Sequence, residues 1–134
     1  MTSSQKYCVL LVDDESSLLL TYRLLLEREG YEVVTCGTWR EAIAAIEKQK
    51  FDAVLCDYFL EEQHTGFDVV AAARQADSGV PAAVLTGYAT RETSVQAAKR
   101  RIEVMHKPIA VPEFLATIAG MLRRNKGPSA PGSG

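Results

Sequence analysis

The sequence predicts an α/β domain, a doubly wound (βα)5 unit with a five-stranded parallel sheet covered by helices on both faces. Short apolar runs and amphipathic helical stretches alternate along the chain, the rhythm of βαβ units that share a parallel sheet. The apolar runs are continuous rather than strictly alternating, as in strands buried on both faces. Most of them also stop at residues that can do chemistry: Asp13-Asp14, Asp57, Thr86-Gly87 and Lys107. In a parallel sheet those ends share one edge, where open α/β sheets bind ligands.

The first strand is expected over Tyr7–Val12, an apolar run that ends at acid. Ser16 or Ser17 can cap a first helix reaching about Glu29, with Leu18, Leu19, Tyr22, Leu25 and Leu26 at helical spacing and Gly30 as its stop. Tyr31–Cys36 reads as the second strand. Thr38 caps a second helix with Ala42, Ile43 and Ile46 on its inner face. Phe51–Cys56 is the third strand and ends at Asp57. A loop from Tyr58 to Gly66, polar at Glu61-Glu62-Gln63-His64, leads to a third helix over Phe67–Gln75. Ser78-Gly79 turn the chain into a fourth strand, Pro81–Leu85. A fourth helix follows from Thr90 to about Arg100, then a fifth strand, Ile102–His106, and a fifth helix, Val111–Arg124. Residues 1–124 form one domain. Residues 125–134, rich in Gly, Pro and Ser, are expected to be a disordered tail or linker.

A chain of 134 residues suits one domain with a real core. A net charge of -2 gives no electrostatic case for nucleic acid. No apolar run approaches the roughly 20 residues that cross a bilayer, and the start lacks a signal-like stretch, so a cytoplasmic protein is expected. Cys8, Cys36 and Cys56 lie in strand-like segments without zinc spacing and read as buried thiols.

The strand ends carry the chemistry. Asp13, Asp14 and Asp57 converging on one edge repel one another and call for a cation. A hard divalent ion with oxygen ligands answers that need, and Mg²⁺ is the expected one. Lys107 can meet an anion bound beside the metal. Metal, carboxylate and lysine are the parts of a phosphoryl-transfer site.

With these residues in place, the chain resembles the receiver domains of two-component response regulators. The matching segments are Leu-Leu-Val-Asp-Asp-Glu (10–15), Val-Leu-Cys-Asp-Tyr-Phe-Leu (54–60), Leu-Thr-Gly-Tyr (85–88) and His-Lys-Pro-Ile (106–109), within a similarity covering residues 7 to about 124. The resemblance implies a receiver domain over residues 1–124, with the flavodoxin-like sheet order 2-1-3-4-5. It makes Asp57 the phosphoacceptor for a histidine kinase or histidine phosphotransfer protein. It makes Asp14 a direct Mg²⁺ ligand, Asp13 a neighbour acting through water, and the backbone carbonyl of Phe59 a third protein ligand. Thr86 would hydrogen-bond the phosphoryl group, Lys107 would pair with one of its oxygens, and Pro108 would follow a cis peptide bond. Phosphorylation would switch binding to a protein output partner.

Some positions depart from the family's common pattern. Val104 stands where an aromatic residue often swings inward, so coupling is expected through the Gly87-Tyr88 loop and the fourth helix. Phe59 and Tyr88 flank the path of attacking water and should slow self-dephosphorylation, while Gly87 leaves the approach to Asp57 open to donors. The Asp-Tyr-Phe-Leu, Thr-Gly-Phe-Asp and His-Lys-Pro-Ile segments look similar to receivers at the C-termini of hybrid histidine kinases; a stand-alone response regulator is the other reading. The face of the fourth helix, fifth strand and fifth helix is the implied surface for a partner or a homodimer, with Val95, Ala98, Val104, Phe114 and Ile118 as apolar candidates, some of which can instead face the core. No DNA-binding or catalytic output is expected within these residues.

The same residues bear on other readings. A flavodoxin needs a hydroxyl- and glycine-rich phosphate loop after the first strand, whereas Asp13-Asp14-Glu15 would repel phosphate. A dehalogenase-like phosphatase wants a second acid where Phe59 stands. A docking module that keeps the pocket residues but signals without phosphorylation is the rival. Asp52 reads as a strand-start residue and Asp68 as a first-turn helix charge. His64 and His106 lack partners at metal spacing, and Lys99-Arg100-Arg101 and Arg123-Arg124 read as solvated helix ends.

Overall fold

A computed structural model of the protein describes residues 6–61 and 63–129, with side chains as far as residue 124. The elements in chain order are β1 (Cys8–Val12), α1 (Ser16–Arg28), β2 (Glu32–Cys36), α2 (Trp39–Lys48), β3 (Ala53–Asp57), β4 (Phe59–Glu61), β5 (His64–Thr65), α3 (Gly66–Ala76), β6 (Ala82–Thr86), α4 (Arg91–Lys99), β7 (Ile102–His106) and α5 (Val111–Ser129). The main sheet is wholly parallel in the order β2-β1-β3-β6-β7. With the short β4–β5 pair set aside, this is the expected 2-1-3-4-5.

Strand alternation divides the core into two layers. Leu10, Val12, Val54, Cys56 and Val84 face the side covered by α2 and α3, together with Ile46, Val70 and Ala97. Val9, Leu11, Leu55, Leu85 and Met105 face α1 and α5, against Leu26, Phe114, Ile118 and Leu122. Both faces of the central strands are closed to water, which is why they read as continuous apolar runs. Each fully buried Leu or Val contributes roughly 1.5–3 kcal/mol.

The helix starts follow local chemistry. The Thr38 hydroxyl accepts from the Glu41 amide and caps α2. The Thr90 hydroxyl does the same for Thr93 at α4. At α3, Thr65 and Asp68 form a reciprocal capping box, so Asp68 has a capping role beyond its charge. α1 departs from expectation: Glu15 is its N-cap and gives no side-chain cap, while Ser16 and Ser17 lie inside the helix. The Asp13 carboxylate instead accepts from the Glu15 amide at 2.9 Å, drawing the helix start onto the first strand-end acid. Gly30, at φ +93°, ends that helical region where a side chain would be strained.

Three further expectations are corrected. The loop from Tyr58 to Gly66 contains an antiparallel hairpin, Phe59 pairing with Thr65 and Glu61 with His64. Leu60, 3% exposed, anchors it by packing into the core. α5 continues to Ser129 instead of stopping at Arg124; Asn125 and Lys126 are helix-compatible, and terminal turns are the least determined by pattern. Residues 130–134 of the expected tail lie outside the described residues. Phe114 and Ile118 are fully buried, so they belong to the core and not to the proposed contact face. Phe114 stacks on Tyr22 with ring centroids 4.6 Å apart, which fixes that side of α5 inward.

The Lys107-Pro108 bond is cis. Cys36 and Cys56 are buried and Cys8 is partly so, all as free thiols. Burial pushes the Cys36 thiol up to about 11 and the Cys56 thiol well above its ordinary range, leaving both unreactive near neutral pH. Among the described residues no helix is long and apolar enough to cross a membrane.

Candidate functional site

Sheet register assembles the site. Val12 pairs with Cys56, so the next residues, Asp13 and Asp57, lie side by side at the ends of β1 and β3. Thr86 pairs with His106, and the Lys107 amide donates to the Thr86 carbonyl at 2.8 Å. These contacts bring the ends of β1, β3, β6 and β7 to one edge, as the sequence predicted.

Lys107 bridges the two acids. Its Nζ donates to Asp13 Oδ2 at 3.1 Å and to Asp57 Oδ1 at 3.3 Å. Asp13 is only 2% exposed, and its other oxygen accepts from Glu15. The Asp57 side chain is 13% exposed, and among the described residues its Oδ2 has no hydrogen-bond partner. Burial, then repulsion from Asp13, raises the Asp57 pKa to about 6, with Lys107 acting in the opposite sense. Burial works to lower the pKa of the Lys107 ammonium, but its hydrogen bonds and charge attraction to both acids outweigh that, and the net displacement is upward.

Asp14 is exposed beside this pair. Asp13, Asp14 and Asp57 each offer a carboxylate oxygen, and the three oxygens lie within 4.8 Å of one another. A hard, oxygen-seeking divalent cation fits that donor set. It would also relieve the mutual repulsion that a single ammonium leaves partly uncompensated. Phe59, whose carbonyl was the third expected ligand, opens β4 with its ring 65% exposed.

Thr86 reaches the same edge with its hydroxyl already committed. Its Oγ1 donates to the Tyr88 carbonyl at 2.9 Å and accepts from the Tyr88 amide at 3.1 Å. This turn holds the β6–α4 loop, leaving the Tyr88 ring 75% exposed. A Cβ at Gly87 would meet no heavy atom within 4 Å, so the space there is open. Val104 is partly buried against the α2–α3 layer of the core, and His106 is exposed.

Two features escaped the sequence reading. Gly66 starts α3 where an added Cβ would lie 2.8 Å from Val84 Cγ1 and 3.0 Å from the Asp57 carbonyl. Its lack of a side chain lets α3 close against the acceptor strand. The Thr65-Gly66-Phe67-Asp68 capping pattern could have located that helix start. The second feature is a contact between α2 and the hairpin. The Trp39 and His64 rings stack at 4.0 Å, 8° from parallel, and the Trp39 amide donates to Glu61 Oε2 at 2.9 Å. The start of α2 thus braces the segment after Asp57.

A parallel 2-1-3-4-5 sheet with an acid trio and a lysine at its carboxyl edge defines a receiver-type domain. Residues 9–119 match the family model described as the response regulator receiver domain, and the chain belongs to that family. It is 33% identical over 122 residues to the alginate biosynthesis transcriptional regulatory protein AlgB of Pseudomonas aeruginosa, covering 90% of this chain and 27% of that protein. It is 32% identical over 120 residues to the cell cycle transcriptional regulator CtrA of Caulobacter vibrioides, covering 89% and 52% respectively. The chain thus spans about a quarter to a half of these curated relatives. Among solved structures it is similar to a CheY-like receiver domain protein from Methanospirillum hungatei, with TM-score 0.84, 29% identity, and coverage of 91% of this chain and 98% of that one.

Proposed function

We propose that this domain is a phosphoacceptor in a two-component or phosphorelay system, with Asp57 receiving the phosphoryl group. The observation that carries the reading is the Asp13–Lys107–Asp57 bridge at the carboxyl edge of the sheet, with the Asp57 Oδ2 free of partners among the described residues. That oxygen forms the new bond to phosphorus as the N–P bond of a donor phosphohistidine breaks, and the donor imidazole keeps the bonding pair and takes up a proton. The donor is a histidine kinase or a histidine phosphotransfer protein.

Asp13, Asp14, Asp57 and the Phe59 carbonyl would hold Mg²⁺, which when bound neutralises charge on the transferring oxygens. Lys107 is already 3.3 Å from Asp57 and supplies a fixed positive charge for a phosphoryl oxygen. Thr86 is the residue that changes partner. To donate to a phosphoryl oxygen its hydroxyl must give up the Tyr88 carbonyl, which frees the β6–α4 loop. Coupling through this loop suits a chain with Val104 at the end of the sheet, and it is a two-state element biased by phosphate contacts. Val95 and Ala98 on α4, with Val104 on β7, remain the apolar candidates on the face that output would use. A net charge of -2 argues against direct nucleic-acid contact by the receiver itself. The relatives are named as transcriptional regulators, and for a longer chain containing this domain we assign any DNA contact to a separate element.

The test is incubation with Mg²⁺ and a small phosphodonor such as acetyl phosphate or phosphoramidate, followed by intact mass measurement. The mass should rise by one phosphoryl group, and the gain should vanish in Asp57→Ala and without metal. Unchanged mass with these donors and with a phosphorylated histidine phosphotransfer protein would leave the docking module as the better reading.

A further inference from the structure

The geometry points to Trp39 and His64 as positioning residues that hold the Phe59–Thr65 hairpin, and with it the Phe59 carbonyl, in place for the metal; this rests on the phosphoacceptor reading above. The hairpin needs outside support. Its strands have three and two residues, and an isolated pair of that size is not stable in water. Leu60 and the Thr65 cap anchor its ends. Glu61 is exposed and His64 half-buried, and both are gripped by α2. There the Trp39 amide donates to Glu61 on β4, and the Trp39 ring stacks on His64 of β5. One residue therefore holds both strands.

The grip connects to the acids. Trp39 is the first residue of α2, directly after its Thr38 cap. The preceding Gly37 amide is held by Glu41 Oε1 at 2.7 Å, and the Cys36 carbonyl accepts from the Asp13 amide at 3.1 Å. A continuous set of short contacts thus runs from Asp13, across the end of β2, to the hairpin that begins two residues after Asp57. The expected ligands are drawn from both ends of this brace: Asp13 and Asp14 at one, the Phe59 carbonyl at the other. Backbone ligands have no rotamers to adjust and depend on how firmly the chain is placed.

Trp39 is the chain's single tryptophan, so its fluorescence reports the stack directly. The test compares full-length wild type, His64→Ala, His64→Phe and Trp39→Ala. It measures Mg²⁺ affinity by calorimetry and exchange of the backbone amides of residues 59–65 without metal. His64→Ala and Trp39→Ala should weaken Mg²⁺ binding about tenfold, as for loss of a partner that orients a metal ligand. Hairpin exchange should accelerate while β1 and β3 keep their protection. His64→Ala should shift Trp39 emission, and His64→Phe, which can still stack, should restore affinity and emission. Wild-type Mg²⁺ affinity and hairpin exchange in both alanine variants would overturn the inference and leave the phosphoacceptor reading standing. Wild-type protein that binds no Mg²⁺ at millimolar concentration would instead overturn the metal-dependent reading, and this inference with it.

Discussion

Removing the negative charge of Asp57 should stabilise the metal-free protein. The Asp57 side chain is 13% exposed, beside an almost fully buried Asp13. Burial first, and the Asp13 charge second, hold its pKa at about 6 against an ordinary 3.8. The folded state therefore binds the Asp57 proton more tightly than the unfolded chain does. The stability this provides is fully present below about pH 4 and is lost as pH rises through about 6. Across that window the ionising carboxylate costs the fold about 3 kcal/mol before solvent screening is allowed for. Asn at position 57 keeps a carbonyl for Lys107 but gives up part of the charge attraction. Screening and that loss bring the expected gain for Asp57→Asn to about 1–2 kcal/mol near pH 7. Urea unfolding in the presence of a chelator should show a raised midpoint with unchanged slope. The advantage should shrink near pH 4, and Mg²⁺ should stabilise wild type more than the variant. A variant no more stable than wild type near pH 7, or a gain equally large near pH 4, would refute the reasoning.

Other substitutions probe separate parts of the site. Gly66→Ala sets a methyl group 2.8 Å from Val84 Cγ1 and 3.0 Å from the Asp57 carbonyl; a loss of about 1–3 kcal/mol is expected in urea unfolding, with slower phosphorylation by acetyl phosphate. Thr86→Ala removes both hydrogen bonds to Tyr88 and should cost about 1 kcal/mol, accelerate amide exchange in the β6–α4 loop, and abolish the difference in partner binding between phosphorylated and unphosphorylated protein. Phe59→Asn replaces an exposed ring flanking Asp57 with a group that can orient water, and phosphate loss followed by mass should quicken severalfold; an unchanged rate would remove Phe59 from the account of phosphoryl lifetime.

The parallel sheet and the acid–lysine edge were legible in the sequence because both follow from burial. Strands covered on two faces leave continuous apolar runs, and the polar residues that end most of these runs have nowhere to go but the sheet edge. Asp13, Asp57 and Lys107 therefore met as expected. The hairpin was not legible, since strands of two and three residues carry too little periodicity to stand out from a loop. The Trp39–His64 stack depends on how α2 lies against that hairpin, which no local pattern encodes. Phe114 and Ile118 show a related limit: the resemblance offered them as candidates for the contact face, but both pack inward, Phe114 against Tyr22. The Thr86 hydroxyl was placed at the right edge, while its closure onto Tyr88 depends on the local turn.

Direct localisation of the phosphoryl group tests the central claim most sharply. After reaction with acetyl phosphate and Mg²⁺, borohydride reduces an aspartyl phosphate to a stable alcohol, and peptide mass spectrometry locates the change. The account predicts reduction at position 57, with Asp13 and Asp14 untouched. Reduction at Asp13 or Asp14, or at no residue in protein whose mass shows a bound phosphoryl group, would contradict it.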